Sequence, residues 1–434
     1  MERGTQQEIA RHTVGDEATL EGAPAVQVAA TGVVDKPLDT LGTEAGLVAH
    51  SHGAIQPGGS KGPVPDASRA ERTASFDLAD FPVPTGREED WRFTPLDRLG
   101  GLHEDTVVAD GKVVVEVDAA PEVRVEQVRR GDPRLGRAGA PGDRVAAQAW
   151  RSFDTATVVA VPAEAVTSRP TVASLRGEGG TAFGHLLVEL GHHAEATVIL
   201  DCAGSATYAD NVEVVLGDGA KLTLVAVLDW ADDAVHLSQH NIKVGRDAQV
   251  RSIVVTFGGD LVRICPQVAY DGPGGDAELL GMYFADAGQH LEHRLFVDHA
   301  VPSCRSNVVY KGALQGQDAH TVWIGDVLIR AAAEATDTFE LNRNLVLTDG
   351  ARADSVPNLE IETGEIEGAG HASATGRFDD EQLFYLQARG IPVDEARRLV
   401  VRGFFAELVA RIGVPEVQER LLAGIDAELE GAVR

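Results

Sequence analysis

The sequence predicts a mainly β protein built around a parallel β-helix, with a small N-terminal capping segment and a C-terminal helical domain. Three observations support this prediction. A turn-and-strand motif recurs at nearly regular intervals, and the residues from about 180 to 370 alternate apolar and polar side chains with almost no helical period. After residue 378 the apolar spacing changes to steps of three and four residues, which is typical of helices.

Each copy of the motif has an alanine, usually after Gly- or Asp-rich turn residues, followed by an alternating strand pattern. The alanines are spaced by 26, 28, 29, 42 and 32 residues: Ala194, Ala220, Ala248, Ala277, Ala319 and Ala351. Strand-rich units of this length indicate a solenoid of stacked β-coils. We interpret the 42-residue interval as a coil that carries a loop. The terminal coils would expose sheet edges and therefore need caps.

The chain divides into four predicted regions. Residues 1–74 are rich in Gly, Ala, Pro, Ser and Thr without a sustained period, which favours a disordered tail. Residues 75–179 form a mixed, partly helical capping region that begins with a dense group of aromatic side chains. Residues 180–378 form the β-helix core, and residues 379–434 form the C-terminal helical domain.

Helix signals are strong in the last region. Asp379 and Gln382 resemble a capping box, and Gly390 is expected to end the first helix. Pro392 suits the first turn of a second helix, which Gly413 would end. Pro415 would start a third, so three helices are predicted over roughly 379–431.

Charge and cysteine content exclude several classes of function. The formal net charge of −29 argues against binding to nucleic acid or to an anionic membrane surface. No apolar run approaches the roughly 18 residues of a membrane helix, and the N-terminus lacks the apolar core of a secretory signal. Three scattered cysteines fit reduced thiols in a cytoplasmic protein and cannot supply four thiolates to a cluster: Cys202, Cys265 and Cys304.

Short motifs give weak evidence of catalysis. The sequence has no GxxxxGK[ST] motif for nucleotide hydrolysis, and the GxSxG at residues 58–62 has neither the strand nor the helix of a nucleophile elbow. A loose GxGxxA at residues 177–182 has no strand-then-helix frame. His290 and His293 would point to opposite faces of a strand, which argues against chelation by that pair.

His371 is a single histidine placed where the strand pattern gives way to the helical pattern. Neutral imidazole is a good ligand for iron. A lone histidine is nevertheless more often a hydrogen-bonded surface or core residue, so both interpretations stay open on the residues alone.

Three segments resemble the SufB/SufD family of iron–sulfur cluster assembly proteins, and they look more like SufD than SufB. They are GREEDWRFTPLDRL (86–99), NLEIETGEIEGAGHASATGRFDDEQLFYLQARGI (358–391) and FFAEL (404–408). The likeness covers about residues 75–412. It implies a right-handed parallel β-helix between a helical N-terminal part and a C-terminal helical domain. It also implies a non-catalytic scaffold subunit of a SufB–SufC–SufD complex.

The resemblance assigns partners and candidate residues. A SufC-type ABC ATPase would dock on the C-terminal helical domain, and a SufB-type paralogue would pair through the β-helix. His371 matches a family histidine implicated in nascent-cluster assembly at that interface, and it is a candidate iron ligand. Ala369 stands where the family motif carries a cysteine, which weakens direct ligation. The ATPase-docking candidates begin the helical domain: Asp379, Asp380, Glu381, Gln382, Phe384, Tyr385, Arg389 and Gly390.

No cofactor is expected to be bound stably by this chain alone, although a transient iron–sulfur cluster or iron could form at the complex interface. Two alternatives remain open. One is the SufB-type cluster-holding scaffold, which the low cysteine count opposes. The other is a β-helix enzyme acting on acidic polysaccharide, which the missing secretory signal and the negative charge oppose.

Overall fold

The computed structural model describes residues 72–378 and 380–431, and most of these residues lie in parallel β-strands. The predicted tail lies outside the described residues except for Arg72, Thr73 and Ala74, and the GxSxG motif at residues 58–62 lies outside them entirely. Asp379 is also outside. No helix in the described part of the chain is long and apolar enough to cross a membrane.

The N-terminal part is mixed. Between residues 72 and 170 the structure has two short 3-10 helices, Leu78–Asp80 and Leu96–Arg98, and one α-helix, α1 (Arg144–Ser152). The Asp143 carboxylate caps α1 by accepting a hydrogen bond from a backbone N–H of the first turn. Three strands accompany these helices: β1 (Val113–Asp118), β2 (Arg124–Arg129) and β3 (Thr155–Val161).

Strands β4 to β16 form the β-helix, which confirms the predicted fold class. β1 runs antiparallel to β4, β2 runs antiparallel to β3, and β3 joins β4 in parallel. From β4 onward every pairing is parallel. The strands are β4 (Thr171–Leu190), β5 (Glu195–Leu216), β6 (Lys221–Trp230), β7 (Val235–Val244), β8 (Gln249–Thr256), β9 (Leu261–Tyr270), β10 (Asp276–Ala285), β11 (His290–His299), β12 (Arg305–Leu314), β13 (His320–Ile329), β14 (Asp337–Val346), β15 (Arg352–Ile361) and β16 (Gly368–Arg377).

Each coil contributes one stretch to each of two facing sheets. The first half of β5 pairs with β6, and the sheet continues through β8, β10, β12, β14 and β16. We call this the helix-side sheet. The second half of β5 pairs with β7, and that sheet continues through β9, β11, β13 and β15. We call this the cap-side sheet, because the N-terminal part covers it. The predicted boundary at 179/180 falls within β4, at a register shift between Glu178 and Thr181, and the domain division stays a prediction.

The turn-and-strand repeat is real, but the sequence alignment of its later copies is wrong. In the helix-side sheet Gln249, Asp276, Arg305 and Asp337 are in register, so the residue before each strand is the equivalent one. Ala319 and Ala351 precede β13 and β15, which belong to the cap-side sheet. The 42-residue interval is therefore a change of sheet, and it is not a coil with a loop. The equivalent positions are Ala194, Ala220, Ala248, Gly275, Cys304 and Thr336.

Three helices follow the β-helix, as predicted: α2 (Asp380–Ala388), α3 (Val393–Ile412) and α4 (Pro415–Gly431). Gly390 and Gly413 follow α2 and α3 with positive φ, a conformation that glycine adopts without steric cost. The apolar sides of α3 and α4 pack on the outer face of the helix-side sheet. Ion pairs add to this contact, including Arg420 with Asp201 at 2.5 Å.

Candidate functional site at the open end of the β-helix

The last coil leaves two strands with a free edge among the described residues. β15 pairs only with β13, and β16 pairs only with β14. A free edge presents unpaired backbone N–H and C=O groups, which are a template for pairing with another chain. This end of the β-helix is therefore suited to contact a partner that also presents strands.

The inner wall of the β-helix changes character towards this end. The residues in register along one inward-facing column of the helix-side sheet are mostly apolar in the earlier coils: Val198, Leu224, Ser252, Leu279 and Val308. The same column then continues with Glu340 and His371. Glu340 is only 1% exposed. The last two coils thus replace an apolar core with ionisable groups.

A hydrogen-bonded network fixes the polar residues behind this end. The Tyr283 hydroxyl donates to Asn344 Oδ1 at 2.7 Å, and Asn342 Nδ2 donates to the same hydroxyl oxygen at 2.8 Å. Asn344 Nδ2 donates to Ser355 Oγ at 3.0 Å, which links the helix-side sheet to the cap-side sheet across the interior. Because these two buried amides are paired, they do not carry the cost of unsatisfied polar groups.

His371 lies on β16 and is exposed at the rim of this end. It is in register with Glu340, so the two side chains occupy adjacent strands on the same inward face. Neighbouring protein still removes enough water to lower the pKa of the His371 imidazole. The neutral form, which is the ligand form, therefore predominates at neutral pH.

Ala369 faces inward two residues before His371 and packs against the apolar core. Its methyl group offers no donor atom to a metal. In the inward-facing column described above, the side chains with a donor atom for a metal on the last two coils are the His371 imidazole and the Glu340 carboxylate. In residues 72–378 and 380–431, no group of three or more His, Cys, Asp or Glu side chains converges as a metal site. Sequence analysis did not identify Glu340, because only the register of β14 and β16 places it beside His371.

The ATPase-docking candidates lie on or beside α2, and their role stays a prediction. Phe384 is 70% exposed and Tyr385 is 57% exposed, which is unusual for large aromatic side chains. The Arg389 guanidinium lies 4.5 Å from the centroid of the Tyr385 ring. Gly390 ends the helix with positive φ. The side chains of Asp380, Glu381 and Gln382 are outside the described part of the structure, as is Asp379.

All three cysteines are buried, and burial raises the pKa of each thiol. Cys202 and Cys304 belong to the apolar core inside the coils. Cys265 faces outward from the cap-side sheet and lines a cavity of about 490 Å³ beneath the N-terminal part. No lining residue of that cavity belongs to β15 or β16. The thiols and the open end are therefore separate features.

The structure also places two other motifs from the sequence analysis, the histidine pair of β11 and the loose GxGxxA. His290 points outward from β11 towards the N-terminal part and contacts Glu292 of the same strand. His293 points inward and stacks on Tyr283, as the alternation of side chains along a strand predicts. The glycine-rich stretch at 177–182 lies within β4 at its register shift, where β1 runs alongside it.

Comparison with known proteins identifies the family. Residues 173–404 match the family model of the SUF system FeS cluster assembly SufBD core domain. An iron–sulfur cluster assembly SufBD family protein of Mycobacterium tuberculosis is 61% identical over 371 residues, which cover 84% of this chain and 94% of the relative.

Two relatives named SufD are more distant. SufD of Escherichia coli is 25% identical over 385 residues, covering 81% of this chain and 90% of the relative. SufD of Bacillus subtilis is 26% identical over 256 residues, which cover 57% of this chain and 58% of the relative. The chain belongs to the SufBD family of SUF-system iron–sulfur cluster assembly proteins.

Proposed function

We propose that this chain is a SufD-like, non-catalytic scaffold subunit of a SufB–SufC–SufD type complex. The observation that carries the proposal is the open end of the β-helix, where two free strand edges surround an ionisable inner wall with His371 at the rim. The family match and the relatives named SufD support the same assignment.

The open end would pair with a SufB-type paralogue. Strand addition at β15 and β16 would satisfy the free backbone groups and enclose the polar wall. Inside that interface His371 would present a neutral imidazole to the iron or nascent cluster, which is the substrate of the complex. The paralogue would supply the remaining ligands, because Ala369 has no donor atom.

The SufC-type ATPase would dock on α2. Phe384 and Tyr385 form an exposed aromatic pair there, and aromatic side chains commonly anchor protein interfaces. α3 and α4 pack on the helix-side sheet, and β16 is the last strand of that sheet. A nucleotide-driven movement of the ATPase would thus act on helices that rest on the sheet carrying His371.

The test is co-purification of the full-length chain with its cognate SufC-type ATPase and SufB-type paralogue. Phe384→Ala combined with Tyr385→Ala is the docking variant, since both side chains are exposed and their removal leaves the core intact. We expect the variant to retain the paralogue and lose the ATPase. His371→Ala is expected to retain both partners and to lower cluster formation in the reconstituted complex.

Two results would count against the proposal. If neither partner bound the full-length chain, the scaffold function would be abandoned. If the double variant still bound the ATPase with unchanged affinity, α2 would be the wrong docking site. Val125→Ala is the matched control, because Val125 is an exposed apolar residue on β2, outside the C-terminal helices.

A further inference from the structure

Two histidines from successive coils meet on the outer face of the cap-side sheet. His290 on β11 and His320 on β13 are in register, 30 residues apart in sequence. Their Nδ1 atoms lie 3.1 Å apart, and the ring planes cross at 68°. This pairing involves neither His371 nor α2, although Asp354, which contacts His320, lies on β15 at the free edge of the cap-side sheet.

The other nitrogen of each ring faces a carboxylate. His290 Nε2 lies 3.1 Å from Glu292 Oε2, and His320 Nε2 lies 2.7 Å from Asp354 Oδ2. Each carboxylate also accepts a hydrogen bond from a guanidinium group: Glu292 from Arg263 at 3.3 Å, and Asp354 from Arg352 at 3.0 Å. An ionised carboxylate only accepts hydrogen bonds, so each imidazole must donate its Nε2–H.

This arrangement leaves both Nδ1 lone pairs pointing into one small space. Two neutral rings that both donate through Nε2 have no hydrogen left for the contact between the Nδ1 atoms. A cation at this contact, either a shared proton or a metal ion, would offset the repulsion between the two facing lone pairs. Metal-binding histidines characteristically donate their second N–H to a carboxylate, which fixes the ring and makes it a better ligand. Both rings here have that support.

We propose that His290 and His320 bind a borderline divalent cation, of which Zn²⁺ is the type, through their two Nδ1 atoms. At a metal–nitrogen distance of about 2.1 Å, atoms 3.1 Å apart subtend roughly 95° at the metal, which needs little movement of the rings. The described residues provide no third ligand of the His, Cys, Asp or Glu type, and water fills the remaining positions. The His320 side chain is 22% exposed, so water reaches that side.

The surrounding charges tolerate a divalent cation. Arg98 lies near His290, but its guanidinium is paired with Asp260 at 2.6 Å. Arg352 pairs with Asp354, and Arg263 pairs with Asp143 and Glu292. Five carboxylates thus face four guanidinium groups: Glu292, Asp354, Asp260, Asp143 and Asp90 against Arg98, Arg352, Arg263 and Arg294.

The test uses the full-length chain with Co²⁺ as a spectroscopic probe and Zn²⁺ as its competitor. The first 71 residues contain three further histidines, so the number of bound ions is read as the difference between the parent and His320→Gln. We expect this substitution to remove one equivalent of bound Co²⁺. We also expect Zn²⁺ to displace that equivalent and to raise the thermal unfolding temperature of the parent but not of the variant.

A second variant separates metal binding from a structural role. Asp354→Asn keeps both ligand atoms and weakens the carboxylate behind His320, so the affinity for Zn²⁺ should fall by about 10–100-fold. His192→Gln, at a turn far from β11 in sequence, should leave the binding unchanged and is the matched control. Equal binding by the parent and His320→Gln would overturn the proposal, as would an equal loss in His192→Gln.

Discussion

At the residue scale, glycine and tyrosine exchange places between two neighbouring coils. Gly281 on β10 is in register with Tyr310 on β12, and Tyr283 is in register with Gly312. All four positions face the interior, and both tyrosines are almost fully buried. A methyl group added at either glycine would overlap ring carbons of the facing tyrosine. Each coil therefore leaves room for the large side chain of the next coil.

Gly281→Ala is expected to destabilise the protein by about 1–3 kcal/mol, because the added methyl group forces the Tyr310 ring out of its site. Chemical denaturation monitored by circular dichroism measures this change. Gly403→Ala is the matched control, since Gly403 is exposed within α3 and has no neighbour near its Cβ position. That substitution should stabilise the helix by about 1 kcal/mol. Equal effects of the two substitutions would contradict the packing argument.

At the scale of the element, the corner turns explain why the sequence predicts the β-helix. The residue before each inward small residue has positive φ, which Gly and Asp tolerate better than most residues. Gly219 and Asp247 show this before Ala220 and Ala248. A Gly- or Asp-rich turn followed by alanine is therefore a physical requirement of the corner, and its spacing predicts the coil length.

The same turns explain where the prediction failed. Ser303 and Ala335 occupy the positive-φ positions before Cys304 and Thr336, so two corners of the helix-side sheet lack the expected composition. The cap-side corners that end at Ala319 and Ala351 have the expected Gly or Asp at the positive-φ position. The sequence alignment therefore followed the helix-side sheet in the early coils and the cap-side sheet in the later ones.

Contacts between coils are harder to read from sequence than the coils themselves. His290 and His320 are separated by a full coil, and only the register of β11 and β13 brings them together. The same holds for Glu340 and His371 on β14 and β16. The sequence identified His371 by its position, whereas its neighbour on the inner wall required the strand alignment.

The C-terminal helices are structural as well as a candidate docking element. Six of their large apolar side chains are at most 1% exposed: Val401, Phe405, Leu408, Ile412, Leu421 and Ile425. Complete burial of such side chains stabilises by about 1.5–3 kcal/mol each, an upper estimate that reaches the roughly 5–15 kcal/mol stability of a typical protein.

A chain truncated after Arg377 should therefore unfold at a much lower temperature, or aggregate, because the apolar outer face of the helix-side sheet loses its cover. Thermal unfolding followed by circular dichroism and by light scattering measures both outcomes. An unchanged unfolding temperature would show that the sheet does not need α3 and α4. The exposed double substitution on α2 is the control, since it should leave the unfolding temperature unchanged.

At the scale of the whole molecule, the interior holds histidines that must stay neutral. Burial lowers the pKa of His240 and His299 to about 4, and that of His293 to about 3. Glu428 on α4 behaves in the opposite sense. Desolvation and the neighbouring Asp286 raise the pKa of its carboxyl group to about 8. Compared with the unfolded chain, the folded chain therefore disfavours protonation of these three histidines and favours protonation of Glu428.

These shifts predict a maximum of the unfolding free energy near pH 6.5. Below that pH the unfolded chain binds protons that the three folded histidines exclude, so stability falls towards pH 4 by up to about 1.4 kcal/mol per pH unit for each histidine. Above it, Glu428 must lose in the folded state a proton that the unfolded state has already released, and stability declines towards pH 8. Solvent screening makes this second limb shallower, since Glu428 is only partly buried. Urea denaturation between pH 4 and 9 measures the profile. Glu428→Gln should flatten the alkaline limb and make the acid limb steeper above about pH 4.5, because the unfolded carboxyl group releases its proton there. A flat acid limb in the parent would contradict the neutral histidine core.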